Sequence, residues 1–164
     1  MNPCNTRELV KRLRRALLDE REDAALYACL RDMSETFDGV DAFAEARRDE
    51  LDHAATLTKV IERLTCRTPV EATQAVCPPD FRGYCNGVKL AIAGENEAIK
   101  EYTELIELSR SRELDRILAS IRADEEVHRA KFNKLYDILC AQPCTLPAVQ
   151  DPCASYVPYW GCQY

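Results

Sequence analysis

Glu50-Leu51-Asp52-His53 and Glu125-Glu126-Val127-His128 hold the only two histidines of the chain, each three residues after a glutamate. The second pair follows the first by 75 residues (53 to 128). The same offset joins Glu20 to Glu95 and Tyr27 to Tyr102. A unit of Glu, then Tyr seven residues on, then a Glu-x-x-His pair is therefore written twice. Residues i and i+3 share a helix face, so each Glu-x-x-His pair can reach one ion. Four glutamates and two histidines supplied by four helices are the ligand set of a carboxylate-bridged two-metal site.

Outward from these residues, apolar positions recur at helical spacing. Leu9, Leu13, Leu17, Ala24, Tyr27 and Leu30 predict a first helix from about Thr6 to about Thr36. Asn5, with Glu8 three residues on, reads as its N-cap, and Asp38-Gly39 as the turn that follows. Phe43, Ala46, Leu57, Val60, Ile61 and Leu64 predict a second helix from about Asp41 to Leu64. Val88, Ala91, Ile92, Ile99, Tyr102 and Leu105 predict a third, starting after Pro78-Pro79 and ending near Ser109. Leu114, Ile117, Ile121, Phe132, Leu135 and Ile138 predict a fourth, over about Arg112 to Cys140. Short turns make two antiparallel hairpins. The longer segment from about Thr65 to Asp80 joins them as a crossover along a bundle.

The expected fold class is all-α: an antiparallel four-helix bundle over residues 1–140, followed by a non-helical tail over 141–164. Pro143, Pro147, Pro152 and Pro158 forbid a continuing helix in that tail. Its aromatic residues Tyr156, Tyr159, Trp160 and Tyr164 predict an extended segment packed on the bundle or on a neighbouring subunit.

At 164 residues the chain has the length of one domain. With 30% charged and 46% hydrophobic residues it reads as globular rather than disordered. The net charge of −6 gives a nucleic-acid role no electrostatic support. No stretch is apolar for long enough to cross a membrane, and Met1 to Asp23 shows no secretory signal, so a cytoplasmic location is expected. Lys11, Arg12, Arg14 and Arg15 are followed at once by Asp19, Glu20, Glu22 and Asp23, which reads as a solvated helix face.

None of the nine cysteines falls in a Cys-x-x-Cys pair, which argues against zinc-ribbon and thioredoxin-type sites. Cys29 is expected to be a small packing residue. Cys66, Cys77 and Cys85 surround the crossover, and Cys140, Cys144, Cys153 and Cys162 lie in or beside the tail. Some of these are expected to form disulfides that pin tail or crossover to the bundle.

The chemistry rests on where the glutamates fall. Glu20 lies between Leu17 and Ala24, and Glu95 between Ile92 and Ile99. Glu50 with His53 lies between Ala46 and Leu57, and Glu125 with His128 between Ile121 and Phe132. Burying an unpaired carboxylate costs several kcal/mol. Two divalent cations balance four carboxylates and two neutral imidazoles. Tyr27 and Tyr102 sit about 10 Å further along the same faces. There each phenol can donate to a carboxylate of the other hairpin. Carboxylate and imidazole donors suit iron or manganese, and zinc can occupy such a site. With both histidines committed, no partnered nucleophile remains.

Leu18-Asp19-Glu20 through Tyr27, Ala44-Glu45-Ala46 through Asp49-Glu50-Leu51-Asp52-His53-Ala54, Ala93-Gly94-Glu95 through Tyr102, and Ser120-Ile121 through Glu125-Glu126-Val127-His128 carry a likeness. Together they resemble the four helices of the rubrerythrin branch of the ferritin-like superfamily, over about Thr6 to Cys140. The resemblance implies a ferritin-like bundle and two ions, with iron the first choice. It implies bridging carboxylates at Glu50 and Glu125, and terminal ligands at Glu20, Glu95, His53 and His128. It also implies supporting roles for Tyr27 and Tyr102.

Two features depart from the family pattern. Rubrerythrins carry a further glutamate three residues after the third-helix ligand, tied to their peroxidase cycle; here that residue is Ala98. Glu97 points about 100° off that face. Rubrerythrins also usually end in a rubredoxin domain with two Cys-x-x-Cys pairs, absent here. The six-ligand set is closer to that of bacterioferritin-type ferroxidase centres.

Three functions follow as expectations. The first is an oxidoreductase reacting with peroxide or dioxygen and fed by an external electron donor. The second is a ferroxidase or iron-handling protein. The third is a metal-stabilised assembly protein without catalysis. A homodimer or higher homo-oligomer is expected.

Overall fold

The computed structural model describes residues 3–141, with side chains from Thr6 onward. Four helices follow one another: α1 (Pro3–Met33), α2 (Phe37–Thr65), α3 (Tyr84–Leu108) and α4 (Arg112–Leu139). A short 3-10 turn, Val70–Ala72, lies in the connection between α2 and α3. No strand occurs among the described residues. α1 packs on α2 and α3 on α4, and the two hairpins meet through α1 on α3 and α2 on α4. This is the all-α bundle of two hairpins that the sequence predicts.

The sequence folds this way because its inward row steps alternately by four and three. On α4 the buried residues are Leu114, Leu118, Ile121, Glu125, His128, Phe132 and Leu135. That spacing keeps one seam facing the neighbouring helices. Glu125 and His128 occupy positions of the same seam as the leucines. The other helices repeat the arrangement, so the polar residues form a layer inside the core. One apolar cluster, including Leu13, Leu57, Leu105 and Leu118, lies on one side of it. A second, including Leu30, Phe43, Val88 and Phe132, lies on the other.

Several boundaries differ from the sequence expectation. Asp38 and Gly39 are not a turn but belong to the first turn of α2, whose N-cap is Thr36. The Gly39 N–H donates to Thr36 Oγ1 at 3.2 Å. Gly39 is small because a Cβ there would lie 2.9 Å from Ser34 Oγ and 3.0 Å from Tyr84 OH. Asn5 lies inside α1, which begins at Pro3; a proline in the first turn gives up an N–H that has no intrahelical partner anyway. Ile138 is 51% exposed, and Leu118 rather than Ile117 is the buried residue of its turn.

The crossover is tied to α1 by arginines. Arg21 Nη1 donates to the carbonyls of Glu71 and Gln74, both at 2.5 Å. Arg14 pairs with Glu71 at 3.1 Å. A disulfide, Cys85–Cys140, joins the first turn of α3 to the residue that ends α4. Cys77 is also disulfide-bonded, whereas Cys29 and Cys66 are thiols. The expectations for Cys144, Cys153, Cys162 and the tail aromatics lie outside the described residues. Among the described residues no helix is long and apolar enough to cross a membrane.

Candidate metal centre

Glu20 on α1, Glu50 and His53 on α2, Glu95 on α3, and Glu125 and His128 on α4 come together in the polar layer. None is more than 6% exposed. They make two groups of four, Glu20–Glu50–His53–Glu125 and Glu50–Glu95–Glu125–His128. Within each group, one donor atom per residue lies within 4.8 Å of the others. Glu50 and Glu125 belong to both groups, so their carboxylates span them.

Both imidazoles turn Nδ1 inward. His53 Nδ1 lies 3.2 Å from Glu20 Oε2, 3.3 Å from Glu50 Oε2 and 3.1 Å from Glu125 Oε1. His128 Nδ1 lies 3.2 Å from Glu50 Oε1, 3.2 Å from Glu125 Oε2 and 3.6 Å from Glu95 Oε1. The outer nitrogens are held as well. His53 Nε2 lies 3.2 Å from Asp124 Oδ2, and His128 Nε2 lies 3.1 Å from Asp49 Oδ2. An Nε2–H donated to aspartate fixes the tautomer and leaves the Nδ1 lone pair pointing into the centre. Sequence reasoning missed both aspartates, although 49 and 124 are separated by the same 75 residues as the ligands.

The tyrosines lie where the sequence predicts. Tyr27 OH donates to Glu95 Oε1 at 2.5 Å, across to the other hairpin. Tyr102 OH donates to Glu20 Oε1, making the reverse crossing. Burial pushes both phenols well above their usual value, and the facing carboxylates add to the effect. They stay protonated and serve as donors.

The donor set fits two cations. Glu50 Oε1 and Glu125 Oε1 are fully buried and have no hydrogen-bond partner. Each is near an imidazole Nδ1 but off the hydrogen-bond direction. Burial, then the charge of Glu20, pushes Glu50 well above the carboxylate range. Burial, then the charge of Glu50, does the same for Glu95. Burial would also raise Glu125, but the hydrogen bond from His128 and the nearby His53 imidazole hold it at about 2. The imidazoles are pushed down by burial and up by more through their carboxylate partners, and both end raised. Without metal, imidazolium protons stand in the place of cations.

A cleft of about 350 Å³ between α1 and α3 leads to this layer. Glu20, Glu50 and Glu125 line it, with Asp23 and Ala98 facing it from α1 and α3. Burial, then the charges of Glu20 and Asp19, pushes Asp23 up to about 8. Burial likewise lifts Asp19 to about 6, against the pull of Arg15.

The sequence matches the family model described as Rubrerythrin over residues 11–136. Among solved structures, a hypothetical protein from Pyrococcus furiosus superposes with a TM-score of 0.71 at 18% identity, covering 80% of this chain and 89% of that one. A structure of ferritin like, diiron-carboxylate proteins from Bacillus anthracis str. Ames superposes with a TM-score of 0.69 at 22% identity, covering 82% of this chain and 99% of that one. At these identities the likeness speaks for the fold. No protein among the curated ones matches the chain.

Proposed function

We propose, from the premise that this chain belongs to the rubrerythrin family, that its six buried donors hold two metal ions, iron in the working protein. The protein is then a di-iron oxidoreductase acting on peroxide or dioxygen, with an external electron donor. One observation carries this reading. Two four-donor groups share Glu50 and Glu125, and each shared carboxylate has an oxygen buried without a hydrogen-bond partner. A buried carboxylate left so is costly unless a cation meets it.

When bound, the ion pair supplies the electrons that reduce the substrate. The rest is the work of the chain. Glu50 and Glu125 span the two positions, while Glu20 with His53 and Glu95 with His128 complete them. Asp124 and Asp49 keep each imidazole oriented. Tyr27 and Tyr102 hold the outer carboxylates by donating to them. The two apolar clusters close the layer from either side, and the α1/α3 cleft admits a small substrate.

Iron oxidation without substrate turnover is the second reading. Ala98, where typical members place a further glutamate, favours it. A purely structural role has less support, since a structural ion needs no cleft to solvent. Manganese and zinc fit the same donors.

Elemental analysis with an optical spectrum tests the premise of two ions per chain. The reduced, iron-loaded protein is then mixed with peroxide or with dioxygen under otherwise anaerobic conditions. Faster reoxidation by peroxide supports the oxidoreductase. Reoxidation by dioxygen alone, with repeated uptake of ferrous iron, supports iron oxidation. No reaction with either leaves the structural role.

A further inference from the structure

The two walls of the α1/α3 cleft are chemically unequal. On α1 the inward row runs Ala16, Glu20, Asp23, Tyr27; on α3, 75 residues later, it runs Ala91, Glu95, Ala98, Tyr102. Asp23 thus has Ala98 as its counterpart, and Asp19 has Gly94. α1 presents carboxylates where α3 presents the smallest side chains. A Cβ on Gly94 would lie 3.4 Å from Asp23 Oδ1 and 3.7 Å from Oδ2. The Asp23 carboxylate therefore uses the room that the glycine leaves.

Three of the acids at the mouth have a basic neighbour. Arg15 pairs with Asp19 at 2.8 Å, Arg12 with Glu101 at 2.5 Å, and Lys100 lies 4.0 Å from Glu97. Glu22 and Asp23 line the cleft with no basic partner among the described residues. Deeper in, the lining includes Glu50 and Glu125, only 2% and 1% exposed. Each has one oxygen with no hydrogen-bond partner. Acidic mouth and unsatisfied interior thus lie along one path. Glu20 and Asp23 are i and i+3 on a helix, roughly 5–6 Å apart at Cβ, so an ion can pass between them in one short step.

We propose that Asp23 is the receiving ligand for divalent cations, which pass from the mouth of the α1/α3 cleft by way of Asp23 to Glu20 and into the two-metal centre. This rests on the two-metal reading above. Asp23 holds the ion only in passage. The carboxylates at the narrow opening raise the local cation concentration, and Asp23 gives up its proton as the ion arrives, which acts on the rate of loading rather than on the final amount bound.

The test is stopped-flow loading of the metal-free, full-length protein with Co²⁺ at low ionic strength, followed by visible absorption. The final stoichiometry is measured separately. Asp23→Asn should slow loading about tenfold or more and still bind the parent's full complement of Co²⁺. Asp23→Glu should restore most of the rate, and Asp137→Asn, outside the cleft, should leave it unchanged. A parent-like rate in Asp23→Asn overturns the proposal, as does Asp23→Glu loading as slowly as Asp23→Asn. Loss of one bound ion in Asp23→Asn also overturns it, by making Asp23 a resident ligand. If the parent chain itself binds fewer than two Co²⁺, the two-metal reading fails instead, whatever the variants do.

Discussion

His128 Nε2 lies 3.1 Å from Oδ2 of Asp49, a residue of the other hairpin. His53 repeats the arrangement with Asp124 at 3.2 Å. Each ligand imidazole is thus oriented by the hairpin that does not carry it, so the hairpins must dock before either donor is set. Asp49→Asn and Asp124→Asn should each weaken metal binding by roughly 10–100-fold without loss of helix. Competition with a chromophoric chelator, alongside circular dichroism, measures this. Parent-like affinity in both variants would show that the aspartates do not orient the rings.

The tyrosines cross between hairpins in the same way. Tyr27→Phe removes the donor to Glu95, and Tyr102→Phe the donor to Glu20. Each leaves a buried carboxylate oxygen one bond short, at a cost of about 1–3 kcal/mol. Urea unfolding of the metal-free protein should read that loss. A change below about 0.5 kcal/mol in both variants would contradict it.

Metal-free stability should fall as pH rises. Burial first, then like charge, pushes Asp23 up to about 8 and raises Glu50 and Glu95. These groups ionise near 4 in an unfolded chain. Above that pH the folded chain holds protons that the unfolded chain has lost, so the stability gained by holding them drains away, for Asp23 between about 4 and 8 and for Glu50 and Glu95 as pH climbs through their raised folded values. The histidines act in the same direction. Their folded values are raised, so their contribution is full below about 6.5 and is lost as pH climbs through the folded values. Glu125, held at about 2, acts oppositely, but only below about 4. The Tm of the metal-free protein should therefore drop from pH 5 to pH 8, and metal should restore more stability at the higher pH. A metal-free Tm that stays level or rises would sink this account.

Gly87→Ala should destabilise the bundle although alanine is the better helix former. A Cβ at residue 87 would lie 2.5 Å from Leu30 Cδ2 and 2.7 Å from Phe81 Cε2. Leu30 is fully buried, so its methyl can yield only by pressing on its core neighbours. Overpacking of this kind costs about 1–3 kcal/mol, against at most about 1 kcal/mol of helix propensity gained. Equilibrium unfolding that shows a net gain in stability would refute the clash.

The centre was legible because its residues are rare and repeated. Only two histidines exist, so one offset picked out Glu20, Glu50, Glu95 and Glu125 along with them. Asp49 and Asp124 obey the same offset. They stayed hidden because aspartates are common in this chain, and because their partners are the outer ring nitrogens, which a same-face argument does not address. Asp38-Gly39 looked like a turn because glycine usually marks one. The glycine is required by Ser34 and Tyr84 pressing on the helix, and tertiary approach of that kind has no local signature. The disulfide partner of Cys85 was equally unreadable, since it depends on which helix ends meet.

That disulfide bears on one half of the centre. Cys85–Cys140 closes a covalent ring around the second hairpin, and the ring encloses Glu95, Tyr102, Asp124, Glu125 and His128. Those five residues are leashed to one another by a closed circuit even in the unfolded ensemble, which lowers the entropy lost when they gather. Refolding should therefore bring them together more readily with this disulfide oxidised than with it reduced.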